Sequence, residues 1–123
     1  LEQTVRYVTE RKVFGDTLAR LQNTRFELAE IKTDLELSRA LVEKCTTRYL
    51  TSELTTEQAS MCKLASSEMQ GRVADKCLQL FGGYGYMKEY PISRAFVDAR
   101  VQRIYGGASE IMKEVIARGL VGR

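Results

Sequence analysis

The stretch "TTEQASMCKLASSEMQGRVADKCLQLFGG", residues 55–83, decides the fold class of this chain. Thr55 followed by Gln58 is typical of a capping box at the start of a helix, and Gly82-Gly83 is typical of a helix end. Between these signals the apolar side chains recur at helical spacing. The stretch therefore predicts one long helix over residues 56–81. Its buried stripe is expected to consist of Cys62, Ala65, Met69, Val73, Cys77 and Leu80.

The segments on either side also have helical spacing. Residues 18–50 predict a second long helix, whose start is marked by a Thr24–Glu27 capping box unless the helix begins a turn earlier. Residues 1–13 are interpreted as the end of another helix. Pro91 suits the first turn of a further, shorter helix, and a last helix follows Gly106-Gly107. The apolar face of the helix over residues 18–50 is expected to hold Leu21, Leu28, Ile31, Leu35, Val42 and Cys45, and that of the helix over residues 1–13 to hold Val5, Tyr7 and Val8. In the helix that starts at Pro91 the corresponding residues are Ile92, Ala95, Phe96 and Ala99, and in the last helix they are Ile111, Val115 and Leu120.

No segment of useful length alternates between apolar and polar residues with the period of two that a strand requires. The predicted fold class is therefore all-α, an antiparallel up-and-down helical bundle of long helices with a shorter pair at its end.

Length and composition indicate one domain over residues 1–123, since 123 residues with 44% hydrophobic content suffice for a single core. The net charge of +3 is too small to indicate nucleic acid as a partner. No run approaches the roughly 18 apolar residues of a membrane span. The first residues lack the layout of a signal peptide. There is no initiator methionine, so we expect a piece of a longer chain.

The absence of histidine excludes Ser-His-Asp and Cys-His catalysis and every metal site that contains histidine. The three cysteines, Cys45, Cys62 and Cys77, are odd in number and form no CxxC motif. This pattern argues against a disulfide framework or a zinc site, and it favours a reducing compartment. Each cysteine is interpreted as a small buried hydrophobic residue. No metal site is predicted.

The motif "GGYGY" at residues 82–86 is not a dinucleotide-binding fingerprint, because it ends a helix and Lys88 stands in the place of the third glycine. The favoured interpretation of Gly82-Gly83 is a helix C-cap. From the residues alone, the function of this helical domain stays open.

Four motifs carry a resemblance to a known family: "RKVFG" (11–15), "LQ" (21–22), "CLQLFGGYGYMKEYP" (77–91) and "DARVQRIYGGASEIMKEVIARGL" (98–120). In order and spacing they resemble the C-terminal helical domain of the acyl-CoA dehydrogenases, over essentially the whole chain. The resemblance implies that an N-terminal helical domain and a middle β-domain belong to the enzyme but lie outside these residues.

What the resemblance implies about activity is the α,β-dehydrogenation of an acyl-CoA by an FAD enzyme that passes electrons to an electron-transfer flavoprotein. It also implies a homo-oligomer, dimer or tetramer, in the bacterial cytoplasm or the mitochondrial matrix. These residues alone are then expected to be inactive. Two alternatives stay open: a related acyl-CoA oxidase-type flavoenzyme, and a non-catalytic oligomerisation module.

The family's cofactor contacts can be carried over to positions of this sequence. Arg11 resembles the arginine that pairs with the FAD pyrophosphate, a role that suits a guanidinium fork. Phe14 and Gln22 resemble residues that hold the adenosine portion. The residues that resemble the resting place of the adjoining subunit's cofactor are Gln79, Leu80, Phe81, Gly82 and Gly83.

Residues 108–110 resemble a segment, commonly Thr-Ser-Glu or Thr-Ser-Gln, that contacts the flavin of the same subunit. Ala108 lacks the usual hydroxyl, which leaves a backbone contact at that position. Ser109 and Glu110 fit this role and, equally, a helix N-cap and a first-turn acid.

Gly106 stands where the short- and medium-chain members keep the catalytic glutamate, and glycine offers no base. Long-chain and isovaleryl-type members carry that glutamate on a preceding helix and have "IYGG" in this loop. The resemblance is closest to the long-chain type, so no catalytic residue is expected in this chain; Glu2 and Glu10 do not align with the base. Gly106 and Gly107 are predicted to form a substrate loop that contributes backbone and space.

Overall fold

A computed structural model describes residues 1–122, so Arg123, the last residue of the predicted domain, lies outside the described part. The predicted all-α class is confirmed. Along the chain follow α1 (Glu2–Glu10), β1 (Lys12–Val13), β2 (Asp16–Thr17), a 3-10 turn (Leu18–Arg20), α2 (Gln22–Leu50), α3 (Thr56–Phe81), a second 3-10 turn (Gly82–Tyr86), α4 (Pro91–Val101) and α5 (Ser109–Val121).

Helix α3 is the centre of the bundle and packs against α1, α2, α4 and α5. Helices α3 and α2 run in opposite directions. Lys76 at one end pairs with Glu27, and Cys45 at the other end lies against the carbonyl of Gln58. The same reversal holds for α5, because Glu68 meets its first residue Ser109 while Glu57 lies beside Gly119. Helices α2 and α5 therefore both run antiparallel to α3.

The predicted ends of α3 are confirmed by hydrogen bonds. The Thr55 hydroxyl accepts from the Gln58 amide at 3.2 Å, and the Gln58 side chain accepts from the Thr55 amide at 3.3 Å. Gly82, with φ +59°, follows the last helical residue. Pro91 is the first residue of α4, as predicted.

The start of α2 differs from the predicted Thr24–Glu27 box. The helix begins at Gln22 with Leu21 as its N-cap, and Thr24 is buried inside the first turn. The reason is the 3-10 turn that precedes it, since the Leu21 amide already donates to the Leu18 carbonyl and leads the chain directly into the helix. The earlier start that the sequence left open is therefore the correct one.

The sequence predicted that residues 11–13 belong to the end of a helix, and this prediction is wrong. Helix α1 ends at Glu10, and β1 and β2 form a short antiparallel hairpin in which Lys12 pairs with Thr17 and Val13 with Asp16. A strand of two residues is too short to show an alternating pattern, so the sequence gives no period-two signal for it.

The core lies where α1, α2 and α3 meet, and its buried cluster consists of Val8, Ile31, Cys77 and Leu80. Several positions of the predicted apolar stripes are exposed instead, because no other part of residues 1–122 covers them: Val5, Leu21, Val42, Ala65, Ala95, Phe96, Ile111 and Leu120. No helix in residues 1–122 combines the length and the apolar character needed to cross a bilayer.

Candidate functional site

Arg11 and the end of α3 line the same groove, with a volume of about 620 Å³. We call it the Arg11 groove. Its walls come from α1, the hairpin, α3 and the second 3-10 turn. The lining residues are Tyr7, Arg11, Val13, Leu18, Gln79, Leu80, Phe81, Gly82, Gly83, Tyr84 and Met87. The sequence-predicted Arg11 and residues 79–83 are thus brought together.

The hairpin fixes Arg11 at the edge of this groove. The Arg11 amide donates to the Tyr7 carbonyl at 2.8 Å, which closes α1, and the Arg11 carbonyl accepts from the Leu18 amide at 2.7 Å. Between them the chain reverses at Phe14 and Gly15, with φ of +51° and +85°. A two-residue turn with both φ values positive matches the twist of an antiparallel pair. The backbone of Arg11 is therefore held on both sides.

Aromatic rings line the groove beside Arg11. The ring of Tyr7 stacks on that of Phe81 with centroids 4.1 Å apart, and the Tyr7 hydroxyl donates to the Phe81 carbonyl at 3.2 Å. The Arg11 guanidinium carbon lies 5.3 Å from the centre of the Tyr84 ring, within cation–π range. Burial raises the pKa of Tyr7 above its ordinary value of 10.0, against the opposing charge of Arg11. Tyr7 therefore stays neutral at physiological pH.

The groove has the chemistry of an anion site. Arg11 is exposed, and within residues 1–122 its guanidinium lies within ion-pair distance of no carboxylate. A side chain built at Gly82 or Gly83 would meet no atom within 4 Å, so the backbone there is open. A positive charge in the same groove as an open glycine backbone suits phosphate oxygens.

Phe14 and Gln22 lie outside the lining of this groove. Phe14 is at the tip of the hairpin with 97% of its surface exposed, and Gln22 is the exposed first residue of α2. Leu80 and Phe81 are buried, so their side chains belong mainly to the core. Tyr7 and Tyr84 are groove residues that the sequence reasoning missed, although Tyr84 lies within the quoted "GGYGY" motif.

A second cluster surrounds residues 102–108, the connection between α4 and α5, which we call the glycine loop. Gly106 and Gly107 both have positive φ, +61° and +95°. A side chain at Gly106 would meet nothing within 4 Å, whereas one at Gly107 would collide with the end of the Met112 side chain. Gly106 therefore faces open space, as expected for a position that leaves room for a substrate.

The glycine loop is attached to the middle of α3. The Glu68 carboxylate accepts from the Ser109 hydroxyl at 2.8 Å and from Arg103 at 3.3 Å, and the Lys63 ammonium donates to the Gly107 carbonyl. The Ser109 hydrogen bond holds the pKa of Glu68 below its ordinary value of 4.5, and the Arg103 charge adds to this effect. Glu68 is thus ionised at neutral pH. The pairing of these residues was missed because they are far apart in sequence.

The predicted residues 108–110 have different environments. The N-cap of α5 is Ala108 and not Ser109. Ser109 is only 5% exposed, and its hydroxyl donates to the Glu68 carboxylate. Glu110 is in the first turn of α5, as expected for an acid favoured by the helix dipole. Ala108 makes no side-chain capping bond.

The Arg11 groove and the glycine loop are distinct places on the molecule. Glu68 and Gln79 are both on α3, and 11 residues at about 1.5 Å each place them about 16 Å apart along the helix axis. One chain therefore presents two separate surfaces that carry the residues singled out in the sequence.

Metal-binding clusters of three or more histidine, cysteine or acidic residues are not found in residues 1–122. Cys45 and Cys77 are buried as predicted, but Cys62 is only partly buried, and all three are free thiols. Burial raises the pKa of the Cys62 thiol, and the neighbouring Cys45 adds to this effect. A raised pKa leaves little thiolate at neutral pH, as expected for a structural cysteine.

Comparisons with known proteins show the family to which the chain belongs. The family model described as "Acyl-CoA dehydrogenase, C-terminal domain" matches residues 1–121. The long-chain specific acyl-CoA dehydrogenase, mitochondrial, of Rattus norvegicus is 52% identical over 120 residues, which are 98% of this chain and 28% of that protein. The acryloyl-CoA reductase (NADH) of Anaerotignum propionicum is 42% identical over 123 residues, 100% of this chain and 31% of that protein.

The crystal structure of acyl-CoA dehydrogenase from Geobacillus kaustophilus has the same fold, with a TM-score of 0.95 at 39% identity, covering 98% of this chain and 32% of that one. The chain thus spans less than a third of the length of these relatives. With a family model matched over nearly every residue, this chain belongs to the acyl-CoA dehydrogenase family and corresponds to its C-terminal domain.

Proposed function

We propose that this chain is the C-terminal part of an FAD-dependent acyl-CoA dehydrogenase that converts an acyl-CoA into the trans-2-enoyl-CoA. Its share of the work is to bind cofactor and to join subunits, with the catalytic base outside residues 1–123. The observation that carries the proposal is the meeting of Arg11 with Gly82 and Gly83 in one open groove. The family resemblance assigns Arg11 to the FAD pyrophosphate, and Gly82 and Gly83 to the resting place of the adjoining subunit's cofactor.

The residues of the Arg11 groove fit FAD. The guanidinium of Arg11 would pair with the pyrophosphate, and the open backbone at Gly82 and Gly83 allows the close approach that it needs. Tyr84 holds the guanidinium from one side by its ring. Phe14 at the hairpin tip and Gln22 at the start of α2 are both exposed, and they would contact the adenosine of a cofactor that extends beyond the groove. FAD, when bound, accepts the hydride that leaves the acyl β-carbon.

The separation of the two surfaces supports a cofactor arrangement across subunits. One chain would hold the adjoining subunit's cofactor at the Arg11 groove and its own flavin at Ala108, Ser109 and Glu110. The inward-pointing Ser109 hydroxyl leaves the backbone at the start of α5 as the contact, where the helix dipole favours an electron-rich group.

Gly106 would leave room for the acyl thioester opposite the external base. The open space at Gly106 supports this role, since a substrate portion there would displace no side chain. The glycine loop then contributes shape, while proton removal from the α-carbon is left to a carboxylate from elsewhere in the whole protein. The electron acceptor that we propose is an electron-transfer flavoprotein.

A homo-oligomer, dimer or tetramer, is supported by apolar side chains that residues 1–122 leave uncovered. They include Phe26, Leu37 and Leu50 on α2, Val97 on α4, and Ile111 and Leu120 on α5. Isolated residues of this kind are common on surfaces, but many together indicate an interface. We propose the mitochondrial matrix or the bacterial cytoplasm as the compartment; the mitochondrial rat relative supports the first.

A second candidate is the reverse reaction, reduction of an enoyl-CoA, favoured by the 42% identity with an acryloyl-CoA reductase. The same groups would bind the same atoms, so direction is a matter of the electron partner. An acyl-CoA oxidase-type enzyme, with oxygen as acceptor, is the other alternative.

The deciding experiment uses the native full-length protein, purified with its flavin. We expect FAD to be released on denaturation, and acyl-CoA substrates of increasing chain length to bleach the bound flavin under anaerobic conditions. Turnover with an electron-transfer flavoprotein and little oxygen uptake supports the dehydrogenase. Rapid oxygen uptake with peroxide formation identifies the oxidase, and turnover only with an enoyl-CoA and a reductant identifies the reductase. A protein that releases no flavin contradicts all three.

A further inference from the structure

We propose that Glu68 and Lys63 of α3 are positioning residues: they fix the conformation of the glycine loop and, through it, the place of the acyl group. The proposal rests on the proposed function of that loop as a substrate surface. Neither residue touches the space in front of Gly106. Glu68 acts through the side chains of Arg103 and Ser109, and Lys63 acts through the loop backbone.

Glu68 ties the two ends of the loop to one carboxylate. Arg103 near its start and Ser109 just after its end are both hydrogen-bonded to Glu68, at 3.3 Å and 2.8 Å. The Ser109 amide also donates to the Arg103 carbonyl at 3.1 Å. The residues between them are thus closed into a ring whose base is the ionised, partly buried Glu68.

Lys63 holds the middle of the loop by its backbone. Its ammonium donates to the Gly107 carbonyl, and within residues 1–122 it has no carboxylate at ion-pair distance. A lysine that is partly buried against a neutral carbonyl fixes the orientation of that peptide group. The anchored carbonyl belongs to Gly107, which has a positive φ of +95° and follows Gly106, with φ +61°.

These hydrogen bonds restrict the backbone freedom of two adjacent glycines. Glycine has the widest choice of backbone conformations, so an unattached Gly-Gly pair would sample many of them. A shift of about 1 Å in a reacting group can lower a rate by about 100-fold. A substrate surface made of glycine backbone therefore needs outside anchors. Helix α3 supplies two of them, Glu68 at the ends of the loop and Lys63 at the Gly107 carbonyl.

The test compares Glu68→Gln and Lys63→Met with Lys76→Met in the native full-length enzyme. Lys76 is the matched control, because it is also a lysine of α3 with a cross-helix contact, to Glu27 at 2.8 Å, and it lies far from the loop. Lys63→Arg and Glu68→Asp keep the charge and serve as conservative variants for use where the larger change prevents folding.

Two readouts are needed. The first is hydrogen–deuterium exchange of the peptide spanning residues 102–109. We expect about 10-fold faster exchange in Glu68→Gln and Lys63→Met, because each removes an anchor worth about one charge-assisted hydrogen bond, and wild-type exchange there in Lys76→Met. The second is steady-state kinetics, in which we expect kcat to fall about 10–100-fold with KM changed little, and the conservative variants to recover part of it.

The proposal is overturned if the loop exchanges as slowly in Glu68→Gln and Lys63→Met as in Lys76→Met, or if their kcat equals that of the control. Failure of the proposed function is a different result, since the wild-type enzyme would then show no turnover. In that case the exchange measurement still decides whether these residues hold the loop.

Discussion

The ring of Tyr7 lies face to face with that of Phe81, 4.1 Å away and 17° from parallel, while its hydroxyl donates to the Phe81 backbone carbonyl. One residue of α1 thereby grips both the side chain and the main chain at the end of α3. Both residues line the Arg11 groove, so this pair ties the α1 part of its lining to the α3 part.

Tyr7→Phe should keep the stack and lose the hydrogen bond, lowering the free energy of unfolding by about 1 kcal/mol. Tyr7→Ala should lose both, at a cost of about 2–3 kcal/mol for a partly buried ring. Urea unfolding of the native protein, followed by circular dichroism, measures both changes. Equal effects of the two substitutions would mean that the stack contributes nothing.

Arg11→Ala should weaken FAD binding by about 10–100-fold, the range of a hydrogen bond to a charged group. Arg11→Lys should recover only part of the affinity, because an ammonium lacks the planar fork that matches two phosphate oxygens. The measurement is calorimetric titration of FAD into the full-length apoprotein. Lys12→Ala is the control, since Lys12 is an exposed cation of the same hairpin outside the groove lining. An equal loss in Lys12→Ala would reduce the role of Arg11 to net charge.

Gly106→Glu should restore part of the activity of a full-length enzyme whose native base has been changed to glutamine. The space in front of Gly106 admits the new side chain, but a φ of +61° costs a non-glycine residue about 1–2 kcal/mol. In the enzyme with its native base intact, the same substitution should lower activity, because two nearby carboxylates raise one pKa.

Gly107→Glu is the paired control for this rescue, since its side chain would meet Met112. Rates are measured over a series of acyl chain lengths, and we expect shorter chains to be favoured in the rescued enzyme. No rescue at any length, in a protein that binds FAD and substrate normally, would show that residue 106 does not face the α-carbon.

The lowered pKa of Glu68 should make the free energy of unfolding fall in acid. Its folded-state pKa is below 4.5, mainly through the Ser109 hydrogen bond, so the folded state holds the proton less tightly than the unfolded one. The resulting stability is present above pH 4.5 and is lost as pH falls through the lowered value. Glu68→Gln and Ser109→Ala should both show a shallower loss of unfolding free energy in this range, measured by urea unfolding at several pH values. A wild-type slope in both variants would contradict the assignment.

The parts of the fold that the sequence predicted are those with local signals. The capping box at Thr55 and the glycine end at Gly82 are encoded within a few residues, and both are confirmed. The start of α2 stayed ambiguous in the sequence, because Thr24 and Glu27 have the spacing of a capping box although the helix begins at Gln22 after a 3-10 turn. The hairpin was missed because its strands are too short to alternate.

The candidate site, like the fold, was predicted from the sequence only in part. The family resemblance supplied Arg11 and residues 79–83, but only the structure shows that the helix and the hairpin bring them into one groove. The attachment of Arg103 to Glu68 joins residues 35 positions apart, and no local pattern marks such a pair. Apolar positions such as Ile111 and Leu120 carry helical spacing whether their partner is in the same chain or in another.

Phe14 has a consequence for attempts to engineer this domain. A bulky residue with φ +51° and 97% exposure adds strain and covers no core, so these residues alone would be more stable with asparagine or glycine there. A screen that rewards heat resistance of the isolated domain would therefore discard the side chain first. The cofactor contact that we propose for Phe14 would be lost with it, so a search for robust variants has to measure both stability and FAD binding.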